Sequence, residues 1–168
     1  MDRRLGEEEA LIEDLASVSG EQLLERLGYS EYMTRAEFKR LALTRLDDAR
    51  ILLNKRRYGA AYYVAGYVIE CALKACLARK ARRYEFPPRP DVVRNSYYTH
   101  DLQKLAEEGG LLNELERGRP KLAGFWSTVK DWKGASRYDL QVGKRAKDIL
   151  LAIEDPDEGV LQCIKRYW

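Results

Sequence analysis

The chain of 168 residues contains a single histidine, and this limits the chemistry open to it. Because His100 stands alone, zinc protease sites and other metal sites that need two or more imidazoles from one chain are excluded. Arg94 precedes it by six residues, in Arg94-Asn95-Ser96-Tyr97-Tyr98-Thr99-His100. An imidazole can act as acid or base near neutral pH, and a guanidinium can hold a phosphate. Arg94 and His100 are therefore candidate catalytic residues for acid–base chemistry at a phosphate, without a metal or cofactor.

Basic and aromatic residues are interleaved in the stretch from Arg79 to Tyr98. Residues 79–94 contain six bases and two acids. Cations for phosphates beside aromatic faces for bases are typical of single-strand or nucleotide binding. The candidate binding residues are Arg79, Arg82, Arg83, Arg89, Tyr97, Tyr98, Arg137 and Tyr138. Structural alternatives stay open: a solvated helix end with an aromatic loop anchor, a capping role for Arg137 and Tyr138, and packing of His100 on the protein core.

The charges divide the chain into two parts. Residues 1–33 contain nine acids and three bases, a net charge of −6. Residues 34–168 contain 27 bases and 18 acids, a net charge of +9, and the two parts sum to the net charge of +3. Two domains are therefore predicted, an acidic helical extension (1–33) and a helical bundle (34–168). Such asymmetry favours a polyanionic partner for the bundle or an extension that offsets its field, although two ordinary solvated surfaces would also produce it.

Cysteine usage and hydropathy predict a cytoplasmic protein without disulfides. The three cysteines, Cys71, Cys76 and Cys163, have no C-x-x-C spacing, and we expect reduced thiols that pack as small buried side chains. The N-terminus lacks the apolar stretch of a secretory signal. Residues 59–78 approach the length of a membrane span, but Glu70 and Lys74 lie near their middle, which predicts a buried helix and no membrane partner.

Helical periodicity dominates the chain, and strand alternation is nowhere sustained, so the predicted class is all-α. Thr34 and Glu37 have the capping-box spacing at the start of a first helix, whose apolar face contains Phe38, Ala42, Leu46, Ala49 and Leu53. A turn over residues 55–59 and a second helix over 60–83 predict an antiparallel pair. Residues 84–99 are a long connection, followed by helices over 100–110, 121–132 and 144–154 and a final turn over 160–168.

The second helix contains a charged pair in an apolar, small-residue background. Glu70 and Lys74 are spaced by one helical turn in the favourable order, and we expect Glu70 to be paired or to stay partly hydrated, because an uncompensated buried charge costs several kcal/mol. Ala61, Ala65, Gly66 and Ala72 leave room for another element to approach. Trp126 and Trp132 are predicted in the core or at an interface.

These residues carry a resemblance to a known family. The aromatic and small residues of Tyr58–Ala75 with Glu70-x-x-x-Lys74-Ala75, the helix start His100-Asp101-Leu102-x-x-Leu105, and Trp126 with Arg137-Tyr138 together resemble the HEPN family, over roughly residues 35–155. The resemblance implies an antiparallel bundle of about five core helices, often dimeric, that acts on RNA, binds nucleotides or pairs with a nucleotidyltransferase.

The resemblance also qualifies the catalytic prediction. Nuclease members of the family have an arginine, four to six further positions and a histidine at the last core helix. Here the matching string, from Arg94 to His100, lies after the second helix, and Arg137-Tyr138 stands at the expected place without a histidine. The main hypothesis is a protein that binds RNA or nucleotide in a prokaryotic defence or toxin–antitoxin system, with endoribonuclease activity as its enzymatic form. The alternative is a non-catalytic interaction module that forms a homodimer or pairs with a nucleotidyltransferase.

Overall fold

A computed structural model describes residues 33–80, 99–138 and 143–168. In these ranges the chain forms seven α-helices, one 3-10 helix and no strand, which confirms the all-α prediction. The α-helices are α1 (Arg35–Asn54), α2 (Tyr58–Lys80), α3 (Leu102–Gly109), α4 (Leu112–Arg117), α5 (Pro120–Val129), α6 (Gly143–Glu154) and α7 (Val160–Lys165). The 3-10 helix spans Gly134–Tyr138.

The first helix begins as its sequence predicts. Thr34 and Glu37 form the capping box, in which each side chain accepts a hydrogen bond from the other's backbone N–H, at 2.7 and 3.3 Å. The buried residues of α1 are Phe38, Ala42, Leu46 and Ala49, while Leu53 is half-buried. The turn to α2 is shorter than expected because Arg56 adopts a positive φ of 57°, so α2 begins at Tyr58 instead of Ala60.

The second helix is the centre of the bundle and packs against α1, α3, α6, α7 and the 3-10 helix. By length and composition Tyr58–Arg79 could span a membrane, but 72% of its most apolar window is buried by the other helices. This agrees with the predicted buried helix. The small residues serve close packing: a Cβ on Gly66 would lie 2.1 Å from the Trp132 ring.

Several shorter elements differ from the sequence prediction. The short α4 was not predicted, α5 begins at Pro120, and Val160–Lys165 is a helix where a turn was expected. These segments have six to ten residues, too few for a clear helical period. Trp126 and Trp132 were predicted in the core or at an interface, and they lie in the core, since each is 1% exposed. The three cysteines are free and buried.

Candidate functional site

Glu70 is a buried carboxylate with two hydrogen-bond partners, Lys74 and His100. It is 3% exposed, and Lys74 Nζ donates to its Oε1 at 2.8 Å from one turn further along α2. His100 Nδ1 lies 3.0 Å from both carboxylate oxygens. The pairing expected for Glu70 is therefore present, and it joins the centre of α2 to the segment that precedes α3.

The backbone around His100 holds its ring against Glu70. Asp101 caps α3 and accepts hydrogen bonds from the backbone N–H groups of Gln103 and Lys104 at 3.0 and 3.1 Å. Gly134, in the 3-10 helix, lies beside the ring, since a Cβ there would be 3.9 Å from the ring carbon Cγ. His100 thus sits where α2, α3 and the 3-10 helix meet.

The two ring nitrogens of His100 have different surroundings. Because the Glu70 carboxylate can only accept a hydrogen bond, we assign the proton to Nδ1. The side chain is 56% exposed, and Nε2 has no hydrogen-bond partner in the described ranges. A carboxylate that orients one nitrogen while the other faces outward is an arrangement suited to general acid or base chemistry.

Aromatic rings form a wall beside the histidine. The Tyr67 ring centroid is 6.2 Å from that of His100 and 5.2 Å from that of Trp132, both in edge-to-face geometry. A hydrogen bond of 3.0 Å joins the hydroxyl groups of Tyr63 and Tyr67. This hydrogen bond, together with burial and the charge of Glu70, raises the pKa of Tyr67 to about 12, so its hydroxyl stays protonated at neutral pH. We refer to Tyr63, Tyr67, Glu70, Lys74 and His100 as the Glu70 site.

Arg137 and Tyr138 lie at the solvent edge of this wall. The guanidinium of Arg137 interacts with the hydroxyl groups of Tyr63 and Tyr138, which raises the pKa of Arg137. It also stacks over the Tyr138 ring, 4.9 Å from the centroid, and Tyr138 is 80% exposed. An exposed aromatic ring and a cation therefore adjoin the Glu70 site.

Arg79, another predicted binding residue, is not brought to this site. Arg79 lies nine residues after Glu70 on α2, about 13 Å further along the helix axis, where it donates to the Tyr167 carbonyl. Six predicted residues lie outside the described ranges: Arg82, Arg83, Arg89, Arg94, Tyr97 and Tyr98. Within those ranges, no group of three His, Cys, Asp or Glu side chains is placed to bind a metal ion.

A protein-family model described as HEPN domain matches residues 36–155. The chain belongs to the HEPN family. This assigns it to a helical family related to nucleotides and RNA in general terms. No curated protein and no solved structure matches the chain significantly.

Segments that carry the resemblance to the HEPN family are separate in sequence and meet in space. The Glu70-x-x-x-Lys74 segment and His100-Asp101-Leu102 are joined at Glu70, and Arg137 reaches the same place through Tyr63. All of them lie within the span that matches the family. Our sequence prediction did not include Tyr63 and Tyr67 in the site. Their spacing was a signal, because positions 63, 67, 70 and 74 share one face of a helix.

Proposed function

We propose that the protein binds RNA or a nucleotide at the Glu70 site and its Arg137–Tyr138 edge. The observation that supports this best is the 80% exposed Tyr138 ring with a guanidinium stacked on it. A base can stack on such a ring while the cation contacts a phosphate. RNA and nucleotides both contain a base and a phosphate. His100 contributes an exposed nitrogen beside them.

The charges of the site are compatible with an anionic ligand. Lys74 offsets the charge of the buried Glu70 and His100 Nδ1 donates a hydrogen bond to it, so the carboxylate does not repel a phosphate as an unpaired charge would. Arg137 has no carboxylate within ion-pair distance in the described part of the chain, and its charge is available to a ligand. The bundle region as a whole has an excess of nine bases over acids.

Fluorescence anisotropy with labelled single-stranded RNA and a labelled adenine nucleotide tests the binding. We expect Tyr138→Ala to weaken the affinity about tenfold, which is the range for one lost stacking contact. Arg137→Gln should weaken it as well and reduce its salt dependence. Arg117→Gln, an equal charge change on the exposed end of α4, is the control. The proposal fails if the wild type binds neither ligand, or if the control weakens binding as much as Arg137→Gln.

Endoribonuclease activity without a metal is a second candidate function, and the Glu70–His100 contact favours it. Glu70 orients Nδ1 and leaves Nε2 for proton transfer to or from RNA, while the predicted role of Arg94 is to stabilise the charged phosphate. RNA incubated with the wild type in EDTA should be cleaved, and His100→Ala should abolish cleavage. RNA that remains intact at high protein concentration contradicts this candidate.

The proposed alternative to catalysis is an interaction module, a homodimer or a complex with a nucleotidyltransferase. Two exposed apolar side chains support it, Ile51 at 59% and Leu151 at 56% exposure, on helices that the Arg50–Glu154 ion pair joins. Sedimentation velocity should show a dimer that Ile51→Glu dissociates; a wild-type monomer would contradict the homodimer. A cytoplasmic defence or toxin–antitoxin system is the setting we propose, and an adjacent gene for a nucleotidyltransferase or regulator would support it.

A further inference from the structure

Cationic side chains from three helices gather around Trp168, outside the span that matches the HEPN model. Lys39 Nζ, on α1, lies 5.6 Å from the centroid of the Trp168 ring, and Lys165 Nζ, on α7, lies 6.0 Å from it. Arg35, at the start of α1, donates a hydrogen bond to the backbone carbonyl of Trp168. The ring is therefore held between cations of α1 and α7.

Arg79 extends this cluster to the end of α2. Its Nη1 donates to the carbonyl of Tyr167 at 3.0 Å, next to Trp168 in the chain. Burial raises the pKa of the Cys76 thiol to about 11, and the nearby charges of Arg35, Lys39 and Arg79 oppose that increase. The charges of Arg35, Lys39 and Arg79 thus all act on the Cys76 thiol, between α1 and α2. We call Arg35, Lys39, Arg79, Lys165 and Trp168 the Trp168 surface.

The positive charge of the Trp168 surface is not neutralised by carboxylates in the described ranges. None of its four cations has an ion-pair partner there. Two acidic groups of the described ranges have other partners: Glu37 caps α1 at Thr34, while Glu114 binds Arg166 and the Tyr167 hydroxyl. Among the described side chains, the Trp168 surface therefore has an excess of positive charge, which attracts anions.

Trp168 differs from the other two tryptophans of the chain in its accessibility. Trp126 and Trp132 are each 1% exposed, whereas Trp168 is only half-buried. Its indole already accepts two ammonium groups at its ring, as an electron-rich aromatic face does. A nucleobase stacking on that face would free both lysines to contact phosphates.

We propose that the Trp168 surface binds single-stranded nucleic acid, with one base stacked on Trp168 and the flanking phosphates bound by the surrounding cations. A partly exposed aromatic ring within unpaired cations is the combination such ligands need, and an acidic peptide would make no use of the ring. Duplex DNA or RNA would leave the indole unused, because paired bases are stacked inside the helix. The proposal does not depend on ligand binding at the Glu70 site, since Glu70 lies about 13 Å along α2 from Arg79.

Intrinsic fluorescence provides a local measurement of this binding. Titration of the full chain with a twelve-residue oligouridylate should quench tryptophan emission and protect it from acrylamide, and Trp168→Phe should abolish most of the change. In anisotropy experiments with the same labelled strand, Trp168→Ala should weaken the affinity about tenfold. Lys39→Gln with Lys165→Gln should reduce the slope of log affinity against log salt by about 1.4, the value for two lost phosphate contacts.

Matched controls separate the Trp168 surface from general electrostatics and from the Glu70 site. Lys144→Gln with Lys147→Gln makes the same charge change on exposed positions of α6 and should leave the quenching unchanged. Tyr138→Ala, which tests the Glu70 site, should leave the Trp168 quenching in place. Absence of quenching overturns the proposal even where RNA binds elsewhere. Equal binding of polyglutamate, or of duplex RNA with the same loss in Trp168→Ala, also overturns it.

Discussion

Glu70 is the residue on which the geometry of the candidate site depends, because it holds both Lys74 and His100. Its side chain is 4% exposed and that of Lys74 is 14% exposed, so their ion pair is largely removed from water. Glu70→Gln should lower the free energy of unfolding by about 2 to 3 kcal/mol, since the nearly buried ammonium of Lys74 loses its counter-charge. Urea unfolding followed by circular dichroism measures this change.

Two further variants make the Glu70 prediction specific. Glu107→Gln removes a carboxylate from the exposed face of α3 and should change stability by less than about 0.5 kcal/mol. His100→Ala should cost less than about 1 kcal/mol, because the histidine is more than half exposed and Lys74 still offsets Glu70. A Glu70→Gln protein as stable as the Glu107→Gln control would show that the pair contributes little to folding.

Ionisation of Tyr67 should lower the stability of the protein at alkaline pH. Its pKa of about 12 lies above the ordinary value of 10 because the hydrogen bond with Tyr63, burial and Glu70 all disfavour the phenolate. A raised pKa contributes stability that is fully present below pH 10 and is lost as the pH rises toward 12. The Cζ resonance of labelled tyrosine should show one group titrating near pH 12, absent in Tyr67→Phe. In Tyr63→Phe the Tyr67 resonance should titrate at lower pH; an unshifted midpoint would contradict the assigned cause.

Part of this site could be predicted from residue types and spacing. The Glu70–Lys74 pair follows from its position within an apolar helix, where an unpaired carboxylate would be too costly. The contact of His100 with Glu70 joins residues thirty positions apart and depends on the path between them, which periodicity does not specify. The roles of Tyr63 and Tyr67 were missed because tyrosines on a core-facing helix equally suit plain packing.

At the scale of the elements, α2 organises the bundle because small residues let neighbouring elements approach it. Gly66 receives the Trp132 ring, and a Cβ at this position would lie 2.1 Å from it. Gly66→Ala should therefore lower the free energy of unfolding by about 3 kcal/mol, since both the buried indole and the helix backbone must shift. Thermal and urea unfolding provide the measurement.

Gly124 is the matched control for Gly66. It lies within α5, and a Cβ there meets no atom within 4 Å. Gly124→Ala should raise stability by up to about 1 kcal/mol, because alanine has the higher helix propensity and restricts the unfolded chain. Similar effects at both glycines would contradict the view that Gly66 is required by contact with Trp132.

The longer elements were the more predictable ones. The capping box at Thr34 and the buried positions of α1 match the expectations from sequence, because twenty residues give several full periods and a recognisable start. The helices α4 and α7 have six residues each and depend on tertiary packing for their stability, so their sequences alone do not reveal them.

At the scale of the whole molecule, the three cysteines report whether α7 stays docked on α2. Cys163 lies on α7, and the Cys76 thiol contacts the Ile164 carbonyl across the interface at 3.8 Å. Burial raises the pKa of Cys71 and of Cys76 to about 11, so few thiolates form at pH 8. A thiol reagent at pH 8 should label the folded protein at least about a hundredfold more slowly than the protein in urea.

The order of labelling distinguishes local from global opening. Detachment of α7 alone would expose Cys163 and Cys76, whereas Cys71 lies five residues before Cys76 on α2, close to Arg45 of α1, and needs a larger opening. We therefore expect Cys71 to react last, as measured by mass spectrometry of labelled peptides at increasing urea concentrations. Ile164→Ala, which weakens the packing of α7, should speed labelling of Cys76 and Cys163 more than that of Cys71. Fast labelling of all three thiols in the wild type without urea would contradict the docked position of α7, and with it the arrangement of cations around Trp168.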